Sequence, residues 1–256
     1  NMSEEQLDKP YNATFYSQHF DGMTSSAKEV LDLLYKLYRP TSVIDIGCGR
    51  GAWLAVAESL GSKKLKGIDG HWVKKEELIS SNIDFGPVDF EKAIPEIGEK
   101  YDLCISLEVA EHISEENARQ FIDTLCKASD IVLFSAAITH QGGAHHVNEQ
   151  WQSYWIDLFN SNGYECFDLF RATLWNNKTV EWWYRQNTFL FVSPRNRFLD
   201  LEVLRASQKP VMDIAHPVNY ENKVKGYMNQ IEYPTLRFCL SCIKRYVRNR
   251  VVRMLN

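Results

Sequence analysis

The sequence predicts a doubly wound α/β fold: a seven-stranded, mostly parallel sheet with an antiparallel hairpin at one edge and a helical extension beyond it. Three observations lead there. Between residues 40 and 193, short apolar runs alternate with helical segments of about 10–15 residues. The runs SVIDIG, YDLCISL and DIVLFSAA are apolar on both faces, as strands are when helices cover a sheet on two sides. The last two runs, YECFDLFRAT (164–173) and NTFLFVS (187–193), show no helical pattern between them, which predicts an antiparallel pair.

Taken in order, the first strand is SVIDIG (42–47), followed by the helix AWLAVAESLG (52–61), which a glycine closes. LKGID (65–69) is the second strand, with a charged helix at 73–80 and a short strand at 85–89 after it. YDLCISL (101–107), a helix at 115–127 and DIVLFSAA (130–137) complete the parallel part. Upstream, Val30, Leu33, Leu34 and Leu37 have helical spacing and are expected to pack on the sheet. These patterns divide the chain into an N-terminal helical cap (1–39), a central domain (40–194) and a C-terminal extension (195–256).

Composition narrows the class. A chain of 256 residues, 45% hydrophobic and 24% charged, is globular and long enough for one full core with an appendage. Its formal charge of −4 is unevenly spread: residues 195–256 hold 12 Lys/Arg against 5 Asp/Glu, so the rest of the chain is acidic. An acidic body argues against nucleic acid as a partner. Six scattered cysteines include one close pair, Cys239 and Cys242, with no second pair or histidines to complete a zinc site. NMSEEQLDK does not read as a secretory leader, and no apolar run approaches membrane-spanning length. The expected location is the cytoplasm.

Ligands of such sheets bind at the carboxyl ends of the strands, near the switch in strand order. DIGCGRG (45–51) lies there, with glycines that permit a sharp turn and let a ligand lie on bare backbone. Its spacing is GxGxG, preceded by Asp45, which favours a nucleoside cofactor without phosphates over a dinucleotide. Asp69 ends the second strand, where a carboxylate accepts both hydroxyls of a ribose; Asp89 and Phe90 follow the third, suited to an adenine amino group and ring face. LEVAEHI (107–113) places Glu108, Glu111 and His112 at i, i+3 and i+4, one face if the segment is helical. Two carboxylates and an imidazole brought together call for a proton or a metal ion among them.

VIDIGCGRG, GID, VDF and SLEVAEH resemble, in order, the first four motifs of the class I S-adenosylmethionine-dependent methyltransferases, over roughly residues 40–193. The resemblance implies a Rossmann-like methyltransferase domain with S-adenosyl-L-methionine on Asp45, Gly47, Gly49, Gly51, Asp69, Gly70, Asp89, Phe90 and Leu107. In the N-terminal segment itself, Tyr11, Tyr16 and Gln18 either close over the cofactor's carboxylate as a lid or, the plainer reading, are surface-exposed aromatic packing. QGGAHHVNEQWQSYW (141–155) and VEWWYRQN (180–187) look like a bacterial branch associated with surface-glycan and specialised-metabolite clusters. His145, His146, Asn148, Glu149 and Trp151 follow the fifth strand and so emerge on the sheet edge of LEVAEHI. With Trp175, Trp182, Trp183 and Tyr184 they suggest an acceptor pocket, Asn148, Glu149, Trp151, Trp182, Trp183 and Tyr184 meeting a sugar or another hydroxylated ring.

The E-V-x-E-H motif is also similar to that of ubiquinone-pathway O-methyltransferases and of small-RNA 3′-end 2′-O-methyltransferases. In the latter, the resemblance implies two Glu, the adjacent His and a downstream His holding Mg²⁺ against acceptor hydroxyls. Here these would be Glu108, Glu111, His112 and His145 or His146, the spacing to the last differing from that family. An imidazole in the set also admits Mn²⁺, Fe²⁺ or Zn²⁺. Without a metal, Glu111 braces the cofactor loop and His112, His145 or His146 serves as general base. The expected activity is O-methylation of a small-molecule or glycan acceptor; an RNA 2′-hydroxyl or an amino-sugar amine is the alternative.

Beyond Pro194 the alternation stops. AHPVNY (215–220) reads as a loop. In the final stretch Leu236, Leu240, Ile243, Val247, Val251 and Met254 recur at three- and four-residue steps among Arg237, Lys244, Arg245, Arg248, Arg250 and Arg253. Such a basic amphipathic helix packs on its own domain, which is the plainest expectation, or meets an anionic membrane surface, RNA or a partner protein.

Overall fold

The computed structural model describes residues 13–90, 95, 97–207 and 213–255, and within them the side chains other than those of 13–21, 207 and 249–255. The strands are β1 (Ser42–Ile46), β2 (Lys64–Asp69), β3 (Ile83–Pro87), β4 (Leu103–Leu107), β5 (Ile131–Ser135), β6 (Glu165–Phe167) and β7 (Phe189–Val192). They form one seven-stranded sheet in the order β3-β2-β1-β4-β5-β7-β6. β7 runs antiparallel to both β5 and β6, and the pairs among β1 to β5 are parallel. The chain winds outward from β1 through β2 and β3, then returns to β4 beside β1, so the loops after β1 and β4 diverge and open a crevice.

Successive residues of the central strands feed opposite apolar layers. Val43, Leu103 and Ile105 join one, with Ala27, Val30, Leu31 and Leu34 of α1 (Ala13–Leu37) and Trp53, Leu54 and Ala57 of α2 (Ala52–Ser59). Ile44, Ile46 and Cys104 join the other, with Phe121, Ile122 and Leu125 of α3 (Glu115–Ala128) and Trp155, Ile156 and Phe159 of α4 (Gln152–Ser161). Strands buried on both faces are thus the cause of the unbroken apolar runs. Leu37, expected in the layer of Val30 and Leu34, is 48% exposed at the last position of α1, and Tyr38 is buried in its place. Tyr11 and the side chains of Tyr16 and Gln18 lie outside the described residues.

Four expectations need correction. The charged segment 73–80 forms only a 3₁₀ turn at Lys75–Glu77; Lys74 to Glu77 are all exposed, so no apolar face holds a longer helix in place. The edge pair is no hairpin, because α5 (Arg171–Leu174) and α6 (Trp182–Asn187) lie between β6 and β7. Phe170, Leu174, Val180 and Tyr184 of that connection enter the core, and buried Arg171 is paired with Asp168 at 2.8 Å. AHPVNY is not a loop throughout: α8 (Pro217–Glu232) starts at Pro217, where a first-turn proline needs no amide partner. LEVAEHI, finally, is not one helix. Glu108 has a positive φ of 55° and donates its N–H to the Ser135 carbonyl at 3.0 Å; only Ala110–His112 forms a 3₁₀ turn. The chain bends at Glu108, so its carboxylate leaves the face shared by Glu111 and His112.

The compact unit runs to His216, and Pro217–Asn256 forms a second unit. Residues past Pro194 stay tied to the first: Arg205 of α7 (Leu201–Ser207) bonds Glu165, Asp213 accepts from Ser153, and the His216 N–H donates to Gln186 Oε1 at 2.7 Å. The second unit holds α8 and α9 (Leu236–Leu255). Among the described residues, no helix is long and apolar enough to cross a membrane.

Candidate active site

The crevice holds a cavity of about 430 Å³, lined from the ends of β1, β2 and β4, the loop after β5, α6 and Met23 of α1. The loop after β1 makes its cradle. Gly47 has φ 92°, and a Cβ there would lie 2.2 Å from Val109 Cγ2, so a side chain is excluded by conformation and by space together. Gly47 and Cys48 donate to the Ile68 carbonyl, and Asp69 accepts the Gly49 N–H at 2.7 Å and the Gly70 N–H at 2.6 Å. One carboxylate therefore fastens the first two loops to each other. Burial pushes the Asp69 carboxyl up, and the two amide bonds oppose the shift.

Asp45 also lines the cavity, 2% exposed, and its Oδ2 is buried with no hydrogen-bond partner among the described residues. Desolvation, and then the charge of Asp69, raise its carboxyl well above the usual range. A buried, unmet acceptor on a residue that lines a cavity is a group a hydrogen-bonding ligand can satisfy. The sign of its effect on stability follows. A folded pKa above the unfolded one favours the fold at low pH, and that advantage is lost as pH rises from about 4 through the raised value. Asp45→Asn is expected to flatten this decline and to raise the urea midpoint of the ligand-free protein at neutral pH, as read from denaturation curves across pH.

At the end of β4 the two glutamates take different roles. Glu108 accepts from Asn187 Nδ2 and Gln141 Nε2, each at 3.1 Å, while Gln186 bonds both of those amides. Glu111 is 1% exposed, its Oε2 has no partner among the described residues, and its carboxyl is raised by burial first and by Glu108 second. Its main-chain carbonyl accepts from Val147 and Asn148 at 2.9 and 3.0 Å, which docks the loop after β5 onto the 3₁₀ turn. That contact brings His146 into the site: its ring meets His112 edge-on at 4.8 Å, and Nε2 lies 4.0 Å from Glu111 Oε1. His146 Nδ1 is 2.8 Å from Glu149 Oε1. A carboxylate only accepts, so Nδ1 carries the proton of that bond, and Nε2 is the ring atom turned toward Glu111.

His112 is held down to about 4 by desolvation and then by His146, so it is neutral near pH 7; its Nδ1 lies 3.2 Å from the His145 carbonyl. One ligand atom each from Glu111, His112 and His146 falls within 4.8 Å of the others, and Glu108 is not part of that group. His145 is exposed at the cavity's edge with φ 60°.

Of the residues expected at the cofactor, Asp45, Gly47, Gly49, Asp69, Phe90 and Leu107 line the cavity. Gly51, Gly70 and Asp89 are not among its lining residues: a Cβ on Gly51 would meet Ile83 Cδ1 at 2.5 Å, and one on Gly70 would meet the Trp72 ring at 2.2 Å. At the acceptor side Trp182, Trp183 and Tyr184 line it, with Tyr184 edge-on to Trp53 at 5.2 Å. Asn148, Glu149 and Trp151 do not. Asn148 is buried, Glu149 is engaged by His146 and the Gly142 N–H, and Trp151 is 40% exposed at the head of α4. Trp175 packs against His216 instead. Met23, Trp53, Trp72 and Gln141 line the cavity without having been anticipated. For Gln141 and Asn187 a signal existed, since a buried amide beside an apolar strand needs a partner.

A glycine cradle, acids at the ends of β1 and β2 and a crevice at the switch in strand order define the doubly wound methyltransferase class. Residues 18–193 match the family model described as a methyltransferase domain. The chain belongs to that family and is an S-adenosylmethionine-dependent methyltransferase. No curated protein matches it significantly. Similar solved structures include the magnesium protoporphyrin IX methyltransferase of Synechocystis with bound SAH, at 18% identity and a TM-score of 0.51 over 73% of this chain and 90% of that one. An O-methyltransferase family protein from Burkholderia thailandensis has 12% identity and a TM-score of 0.51 over 74% and 66%. The methyltransferase domain of bacterial CtHen1-C has 16% identity and a TM-score of 0.50 over 67% and 98%.

Proposed function

We propose that this enzyme methylates a hydroxyl of a small-molecule or carbohydrate acceptor, in the cytoplasm, within surface-glycan or specialised metabolism. His146 carries the reading: Glu149 fixes its tautomer, and its ring lines the same cavity as the glycine cradle. The bound donor supplies an electrophilic methyl carbon on a sulfonium. Asp69 is suited to ribose hydroxyls, Phe90 to the adenine face, and Asp45 offers its unmet oxygen. Trp182, Trp183 and Tyr184 provide the apolar wall against which a sugar ring stacks. A sugar hydroxyl is a weak nucleophile at neutral pH, so His146 takes its proton as the acceptor oxygen meets the methyl carbon. Glu108, held by two amides, braces the end of β4, and helix α9 is the chain's contact with a membrane surface or a partner.

A second reading is favoured by the unpartnered Glu111 Oε2. Glu111, His112 and His146 would hold a divalent cation, and their two nitrogens and one carboxylate suit Mn²⁺, Fe²⁺ or Zn²⁺ better than Mg²⁺. Such an ion would lower the pKa of an acceptor hydroxyl. Transfer of labelled methyl to a panel of monosaccharide and phenolic hydroxyls, with and without chelator, tests both. The base reading expects turnover to survive EDTA and Mn²⁺ to leave the melting temperature unchanged. Turnover lost in EDTA, with a Mn²⁺-dependent rise in melting temperature that Glu111→Gln abolishes, establishes the metal instead.

A further inference from the structure

The C-terminal unit carries chemistry that methyl transfer does not use. On α9, Leu236, Leu240, Ile243 and Val247 lie on one face of successive turns and are 77%, 50%, 59% and 53% exposed among the described residues. The same helix has six basic residues and no acidic one. Lys244, Arg245 and Arg248, with Ser241, converge on an open depression of about 260 Å³. α8 adds a second exposed apolar row, with Val224 at 40%, Met228 at 56% and Ile231 at 69%.

We propose that Pro217–Asn256 docks the enzyme on an anionic lipid bilayer, with the α9 apolar face lying among the acyl chains and its basic side chains at the headgroup phosphates. Each half of the pattern excludes a different rival. A second copy would meet the apolar face but would set six positive charges against six. A polyanion in solution would meet the cations but leave the apolar row in water. A bilayer with anionic headgroups satisfies both at once, because Lys and Arg stems lie along apolar surface while their charged ends reach the phosphates. The acceptor is thereby expected to be a molecule available at that surface, a narrowing that rests on the methyltransferase reading above, whereas docking itself does not.

Flotation of the full 256-residue chain with vesicles of phosphatidylcholine and phosphatidylglycerol (3:1), and with phosphatidylcholine alone, tests it. Binding is expected to the anionic vesicles only. Lys244→Ser/Arg245→Ser/Arg248→Ser should lower partitioning about a hundredfold, and Leu240→Asp/Val247→Asp should lower it at least as far. Both variants should retain wild-type affinity for S-adenosylhomocysteine by calorimetry, which shows the catalytic unit intact. No flotation with anionic vesicles overturns the proposal. So does equal flotation with neutral ones, or unchanged binding by the Leu240/Val247 variant, which would leave only headgroup attraction of the kind inorganic phosphate competes away. A Leu240/Val247 variant that alters oligomeric mass by light scattering without altering flotation would assign the face to a second copy.

Discussion

His146→Ala is expected to lower kcat by about 10²–10⁴-fold, the usual contribution of a positioned general base, while the affinity for S-adenosylhomocysteine stays within about twofold of wild type. The separation follows from geometry. His146 belongs to the loop after β5 and is held by Glu149 at 2.8 Å, whereas the glycine cradle is built from β1 and β2. Glu149→Gln should reduce kcat with little change in KM, since it disturbs the ring's tautomer rather than a binding contact. Gly143→Ala offers an independent check: a Cβ there would lie 2.2 Å from His146 Nε2 and must displace the ring. Steady-state kinetics beside calorimetry decides the matter. Loss of donor binding in His146→Ala would move this residue from catalysis to bracing the cofactor loop.

Asp69→Ala is expected to weaken donor binding by about 100-fold or more. Hydrogen bonds to a charged group contribute about 1.5–3 kcal/mol each, and this carboxylate accepts the main-chain N–H groups of Gly49 and Gly70. The substitution would remove the proposed ribose contact and also unfasten the loop after β1 from the end of β2. Asp69→Asn retains one acceptor oxygen and should recover part of the affinity. Calorimetry with S-adenosylhomocysteine reads the effect directly; wild-type affinity in Asp69→Ala would place the donor elsewhere than in this cradle.

The sequence by itself determined the parallel part of the sheet, because strands buried on two faces must be apolar throughout and their helices must supply the covering stripes. It also determined the cradle, since the glycines of DIGCGRG serve a turn that Val109 and Ile83 leave no room to decorate. What lies between β6 and β7 was not legible there. VEWWYRQN has too few residues for a clear helical period, and α6 forms only where Tyr184 can reach Trp53. The division of labour between Glu108 and Glu111 was decided by tertiary structure alone. Their three-residue spacing suggests a shared face, but Glu108 follows the hydrogen-bonding of β5 into a positive φ, and Asn187 and Gln141, distant in sequence, take up its carboxylate. Likewise Glu149 looked like an acceptor contact until the loop after β5, docked on the Glu111 carbonyl, set it against His146. Local pattern reports which residues are buried; which polar groups meet depends on chain segments that only the packed sheet brings within hydrogen-bonding distance.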